Sequence, residues 1–167
     1  MARPVPLITA IVACAALLAV PFARSNPIVV WNASPSIPIG LYAIERRQPG
    51  LSDVAVLWPP NLASILADER QYLPATALLL KPVAARESDL ICRFGRYVFV
   101  NGELRATALS QDKLGRPLPS WRGCSKLRSG ETFVLSKRKD SFDSRYFGVV
   151  ERRQVLGTGR LIFTVRR

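Results

Sequence analysis

Residues Leu7 to Ala23, LITAIVACAALLAVPFA, carry no charge over seventeen positions, and nothing else in the chain constrains its organisation as strongly. As a helix the stretch would rise about 25 Å, the short end of what spans the roughly 30 Å hydrocarbon core of a bilayer. It is long for the apolar region of a signal peptide. Arg3 and the amino terminus place positive charge before it, which orients the amino terminus toward the cytoplasm. Phe22 stands in the middle of the nearest Ala-ended tripeptide, Pro21 precedes it, and no clean Ala-x-Ala adjoins a polar start. That favours an uncleaved anchor over a removed signal. On either reading residues 25–167 are expected outside the cytoplasm. The chain divides into 1–24, a cytoplasmic tip with a membrane anchor, and 25–167, a domain that must build its own core.

Within that domain, short apolar runs alternate with turn residues. Pro27–Trp31 (PIVVW), Asp53–Trp58 (DVAVLW), Thr76–Leu80 (TALLL), Leu90–Cys92, Tyr97–Val100, Thr132–Leu135 and Leu161–Val165 (LIFTV) read as strands. Asn101-Gly102 lies between YVFV and ELRA, and both residues tolerate positive φ, which is a short-hairpin signal. Pro59-Pro60 followed by NLASILADERQY reads as one helix, with Leu62, Ile65 and Leu66 at helical spacing. Gln111–Arg122 holds Gly115, Pro117 and Pro119 and reads as a loop. The expected fold is one mainly β domain carried on a single N-terminal transmembrane helix.

The 167 residues include no histidine. A Ser-His-Asp triad, a Cys-His pair, His-ligated zinc and any imidazole base are thereby excluded. A hydrolase built on this chain would need Lys, a carboxylate or a metal-bound water as its base. The formal charge of +12 suits nucleic acid, an anionic membrane surface or acidic partners. Its cations are scattered, apart from short pairs such as Arg46-Arg47 and the Lys137-Arg138-Lys139 cluster, and no zinc-finger spacing, RNP-like motif or basic helix appears. A domain held away from cytoplasmic DNA points to anionic headgroups instead, and nucleic acid is not expected as a partner. Of three cysteines, Cys14 lies in the apolar segment. Cys92 and Cys124 form an even pair outside it, consistent with one disulfide in an oxidising compartment or with two buried thiols.

Three segments hold groups that chemistry could use. Asn32–Tyr42 (NASPSIPIGLY) sets Ser34 and Ser36 around Pro35, with Pro38 and Gly40 after them: a rigid turn presenting small hydroxyls. Lys81 follows Leu78-Leu79-Leu80 and precedes Pro82-Val83-Ala84-Ala85. Apolar neighbours desolvate an ammonium and lower its pKa, as a general base near neutral pH requires. Ser141–Gly148 (SFDSRYFG) packs hydroxyl, carboxylate, guanidinium and aromatics together. Strand alternation would put Ser141, Asp143 and Arg145 on one side of an extended chain, with Asp143 and Arg145 paired. Taken singly, these are a turn between strands, a lysine reaching solvent from a strand end, and a surface turn with a salt bridge.

Together and in this order, the segments resemble the type I signal peptidases, and within them the TraF-type conjugative-transfer peptidases. The turn N-x-S-x-S-x-P-x-G-L-Y is similar to the TraF nucleophile motif, with Ser36 on the nucleophile and Ser34 where a hydroxyl helps form the oxyanion hole. Lys81 matches the general base. SFDSRYFG resembles the family box S-x-D-S-R-x-x-G, in which Ser141 would hold the lysine while Asp143 and Arg145 brace the site. GRPLPSWRGC, with Trp121 and Cys124, also looks like the TraF branch. General signal peptidases carry R-V-x-x-x-P-G-D after the lysine and G-D-N-R before the final box, whereas PVAARESD and LSKRKD stand here. Both departures favour the TraF branch.

The resemblance implies a signal-peptidase-like β domain and a membrane-bound serine endopeptidase with a Ser36/Lys81 dyad. It would sit in a bacterial inner membrane with its catalytic domain in the periplasm. It would cleave leader or C-terminal segments of secreted precursors without metal or cofactor. The implied partners are a precursor protein substrate such as a pilin subunit, the lipid bilayer, and other conjugative-transfer proteins. Some members of the branch pass the acyl-enzyme to the substrate's own amine, giving a cyclic product. A general signal peptidase and a non-catalytic scaffold of a secretion apparatus are the alternatives.

Overall fold

The computed structural model describes residues 28–165, so the segment Leu7–Ala23 and the division at residue 24 lie outside the described residues. Among the described residues no helix is long and apolar enough to cross a membrane.

Ten strands, β1 (Val29–Asn32), β2 (Gly40–Glu45), β3 (Val54–Leu57), β4 (Leu79–Arg86), β5 (Leu90–Phe94), β6 (Tyr97–Val100), β7 (Glu103–Thr107), β8 (Gly123–Lys126), β9 (Thr132–Val134) and β10 (Val155–Thr164), form two sheets. One has the order β1-β2-β10-β3-β4-β9 and the other β7-β6-β5-β8. Helices α1 (Asn61–Glu69) and α2 (Ser144–Phe147) are short. The described domain is mainly β, as its alternating runs predict. Ala85, Ile91, Val98, Val100, Leu127 and Phe133 make one buried cluster, joining β4 and β9 to the smaller sheet. Burying a side chain such as Phe133 stabilises by about 1.5–3 kcal/mol.

Several elements differ from their predicted bounds for physical reasons. The strand predicted at Thr76–Leu80 starts at Leu79, because Pro74–Ala77 closes a turn, and it continues through Lys81 and Pro82 to Arg86. Pro82 lacks an N–H, yet its carbonyl accepts from Leu135 N, so the strand survives it. Lys81 is therefore inside a strand rather than at its end. The predicted Leu161–Val165 is the tail of the ten-residue β10, which pairs with both β2 and β3. Gly157 and Gly159 hid its first half. Strand β2 was not predicted; Gly40 opens it because a Cβ there would overlap the Phe163 carbonyl of β10. The expected hairpin forms: the Asn101-Gly102 turn, with φ of 52° and 83°, joins β6 to β7, whose sequence begins ELRA, whereas β8 was missing from the prediction.

Cys92 on β5 lies opposite Cys124 on β8, and the two are bridged. The even pair is thus a disulfide and not two buried thiols.

Candidate active site

The turn between β1 and β2 carries Ser34 and Ser36, and Asn32 and Tyr42 hold it in shape. Asn32 is buried at the end of β1. Its side-chain amide donates to the carbonyls of Ser34 (2.7 Å), Pro38 (3.0 Å) and Ile37 (3.3 Å), while its Oδ1 accepts the Ser34 N–H at 3.2 Å. The Tyr42 hydroxyl donates to the Pro38 carbonyl at 2.8 Å. Backbone groups that a turn this tight would leave unpaired are thereby satisfied, and the two prolines limit what remains free.

Lys81 approaches from β4. Register places it opposite Ala55 of β3, on the sheet face shared with Leu57, Leu79 and Val83. The small Ala55 leaves room for the lysine stem, and the side chain is only 4% exposed. Its Nζ lies 2.9 Å from Ser36 Oγ and 2.8 Å from Ser141 Oγ. Burial pulls the lysine from its ordinary 10.5 down to about 8; Asp143 and Asp140 oppose that shift and Arg145 adds to it. The expected desolvation is present, and the lysine does not reach solvent.

The segment after β9 was expected to be extended, and here the structure differs. Asp143 caps α2 by accepting the Arg145 N–H at 3.2 Å, so Ser141, Asp143 and Arg145 converge through a helical turn and not through strand alternation. A run of hydroxyl, carboxylate and guanidinium forms a cap more readily than a strand. The ion pair itself is as predicted. Arg145 Nε and Nη2 meet Asp143 Oδ1 and Oδ2 at 2.7 and 3.0 Å, with the carboxylate fully buried and the arginine 2% exposed. Arg145 also donates to the carbonyls of Ser136 (2.7 Å) and Lys139 (3.2 Å). Arg93 of β5 donates to the Arg145 carbonyl, and Trp121 Nε1 to that of Ser144 at 3.0 Å. These bonds tie the box to the disulfide-bridged sheet.

Ser34, Ser36, Lys81, Ser141, Asp143 and Arg145 are thus brought into one connected site. Ser34 Oγ lies 3.0 Å from Ser36 Oγ and accepts the Ser36 N–H at 3.3 Å. Both groups assigned to an oxyanion hole are therefore bonded to one another at rest, and each would have to turn toward an incoming oxygen. Beside Ser36 opens a cavity of about 410 Å³, lined by Pro35, Ile37, Ile39, Ser136, Lys137 and Val165. The disulfide lies on the smaller sheet, outside this constellation. Among the described residues no three His, Cys, Asp or Glu side chains converge as metal ligands would. Asn32 and Ser136 were missed as site residues. Asn32 opens the segment NASPSIPIGLY, three residues before Pro35 and six before Pro38, whereas no local pattern marks Ser136.

A buried lysine on one strand, bonded to a turn serine from another, is an arrangement suited to serine peptidase chemistry without histidine. The chain belongs to the signal peptidase family, peptidase S26, whose match covers residues 1–164. Within that family it is a TraF-type protein. It is 33% identical over 144 residues to a plasmid transfer protein TraF of Escherichia coli, covering 80% of this chain and 81% of that one. It is 32% identical over 143 residues to the conjugal transfer protein TraF of Agrobacterium fabrum, with the same coverage. Signal peptidase I of Enterococcus faecalis V583 superposes loosely, with a TM-score of 0.39 and 17% identity over 68% of this chain and 98% of its own.

Proposed function

We propose that the protein is a membrane-anchored serine endopeptidase that matures a secreted precursor, a pilin subunit in the first instance, for conjugative transfer. The observation that carries this is the 2.9 Å contact between Ser36 Oγ and a Lys81 amine buried on an apolar sheet face. Neutral Lys81 takes the hydroxyl proton as Ser36 Oγ attacks the scissile carbonyl, and the ammonium so formed gives a proton to the leaving amine. Water then opens the acyl-enzyme by the same route in reverse. Ser141 Oγ, 2.8 Å from Nζ, orients the amine toward Ser36 in both protonation states. The Ser36 N–H and the Ser34 hydroxyl exchange their mutual bond for the developing oxyanion, a role whose loss typically costs about two to three orders of magnitude in rate.

Membership of the signal peptidase family and likeness to plasmid and conjugal transfer proteins support precursor processing in conjugation. The uncharged segment Leu7–Ala23 and the excess of cations support an anchor in the inner membrane, a periplasmic domain over anionic headgroups, and contact with other transfer proteins. Co-expression with candidate pilin precursors, followed by intact-mass measurement of the product, tests the reading. Loss of a terminal segment with wild-type protein, and none with Ser36→Ala, is expected. A hydrolysed end and an end joined to the substrate's own amine differ by one water, so the same spectrum reports cyclisation. Precursors of unchanged mass throughout would remove the proposal.

A further inference from the structure

Ser136, two residues beyond β9 and only 5% exposed, has every polar atom engaged. Its hydroxyl donates to the Ser36 carbonyl at 2.8 Å and accepts the Arg138 N–H at 3.2 Å. Its own N–H donates to Asp143 Oδ2 at 3.0 Å, and its carbonyl accepts from Arg145 Nη2 at 2.7 Å. Both backbone groups of Ser136 are therefore held by the buried ion pair, and its side chain reaches from there to the nucleophile's main chain.

The mechanism does not use this contact. Ser136 is not bonded to Ser36 Oγ, to Lys81 or to the oxyanion donors. The contact falls, though, where the turn is least supported. Ala33, Ser34 and Pro35 are exposed, and the Ser36 N–H has only a 3.3 Å bond to Ser34, which the oxyanion must displace. A peptide plane anchored at its carbonyl fixes the rotation about the preceding Cα–C bond, and with it the direction of the Ser36 side chain.

We propose that Ser136 is a positioning residue for Ser36, and that through it the Asp143–Arg145 pair sets the nucleophile. The proposal rests on Ser36 and Lys81 being nucleophile and base. The Ser136 and Ser141 contacts can be separated by substitution. Ser136→Ala keeps the backbone bonds to Asp143 and Arg145, and leaves Asp143, Asp140 and Arg145, the charged groups that face Lys81, in place. It removes the tether on Ser36 and the acceptor of the Arg138 N–H. Ser141→Ala removes a partner of the amine itself.

The experiment uses the full chain in lipid nanodiscs and an acylating penem as probe. Acylation rates come from intact mass across pH, and thermal melts report folding. For Ser136→Ala the saturating rate should fall about 10- to 100-fold, as expected when a reacting group is misplaced by about 1 Å, while half-saturation stays within about twofold. The midpoint of the pH profile should not move. Ser141→Ala should shift that midpoint downward, because it removes an acceptor that favours the ammonium. Ser136→Thr should recover most of the rate and Ser136→Val, its near-isostere without a hydroxyl, should not. If alanine fails to fold, the threonine and valine pair decides. Equal rates for threonine and valine, a parental rate for alanine, or a moved midpoint in Ser136→Ala would each overturn the role of Ser136. A parent that is not acylated at Ser36, or a Ser36→Ala variant that is, removes the dyad and this inference with it.

Discussion

Lys81 Nζ lies 2.9 Å from Ser36 Oγ although 45 residues of chain separate them, and the same nitrogen lies 2.8 Å from Ser141 Oγ, 60 residues further on. The three groups come from the turn after β1, the interior of β4 and the segment after β9. The lysine is held between two hydroxyls, with no carboxylate in salt-bridge contact among the described residues. That pairing satisfies the amine's hydrogen bonds while leaving its charged form poorly compensated, which is the condition a lysine base needs.

Ser36→Ala and Lys81→Ala are each expected to abolish precursor processing and penem acylation. Both variants should melt near the parental temperature or above it, since neither introduces a buried unpaired charge. Lys81→Arg should fail as well, because guanidinium stays protonated and cannot act as a base. Processing at the parental rate in either alanine variant would remove the dyad.

With the Ser34 hydroxyl in the proposed oxyanion hole, Ser34→Ala should lower kcat on the order of a hundredfold and leave KM little changed. The structure adds a second effect: Ser36 Oγ and the Ser36 N–H both lose a partner. Ser34→Thr keeps the hydroxyl at an exposed position and should retain part of the rate. Steady-state kinetics on a processed peptide distinguish these outcomes, and an alanine variant with parental kcat takes Ser34 out of the oxyanion hole.

Breaking the Asp143–Arg145 pair should cost stability as well as activity. Removing either partner leaves a charge in a site with essentially no solvent access, at about 3–5 kcal/mol. For a domain of this size that is a fall in Tm of roughly 10–20 °C. Asp143→Ala should be the worse of the two for Ser136, whose N–H loses its acceptor. Thermal melts of both variants beside Ser141→Ala, which leaves the pair intact, test whether the pair carries the loss.

How much of this could be read in advance depended on how local each feature is. Tyr97–Val100 with its Asn-Gly turn, and the helix after Pro59-Pro60, are set by neighbours within a few residues, and both formed nearly where periodicity places them. Strand β2 and the first half of β10 are set by one another: Gly40 and Gly157 are needed because the two backbones come too close for a Cβ, and glycine in one sequence reads as a break. Ser34, Ser36, Lys81 and Ser141 were legible as residue types in a given order. The helical cap at Asp143 hid behind an alternation that also suits a strand. Ser136 meets Ser36 across 100 residues, and no periodicity reports a contact of that kind.

The Cys92–Cys124 bridge closes a loop with a sequence separation of 32, and in the chain-entropy account such a loop contributes about 3–4 kcal/mol. Alkylation without reductant should leave both residues unlabelled in the native protein, with Cys14 as the remaining thiol. The Cys92→Ser/Cys124→Ser double variant should melt lower by roughly 10 °C or more. Activity below that transition should persist, since the bridge reaches the site only through Arg93, Trp121 and the box. Labelling of both thiols in native protein would refute the bridge.

The pH dependence probes Lys81 from two directions. With the amine drawn down to about 8 by burial, kcat/KM should rise along a single limb centred near pH 8 and level off by about pH 9–10. Stability gives the second view. The unfolded lysine binds its proton up to about 10.5 and the folded one only to about 8, so between those values the unfolded state holds more protons and stability increases with pH. Below pH 8 both states are charged and the full penalty stands, on the order of 3 kcal/mol. Lys81→Met, which fills similar space without a charge, should therefore melt above the parent at pH 7, and the gap should shrink as pH rises from 8 toward 10.5. Differential scanning fluorimetry over that range, alongside the rate profile, gives two readings of one group. A rate that climbs without a plateau past pH 10.5, together with a methionine variant no more stable than the parent at pH 7, would mean that Lys81 behaves as a solvated lysine and that the dyad lacks its base.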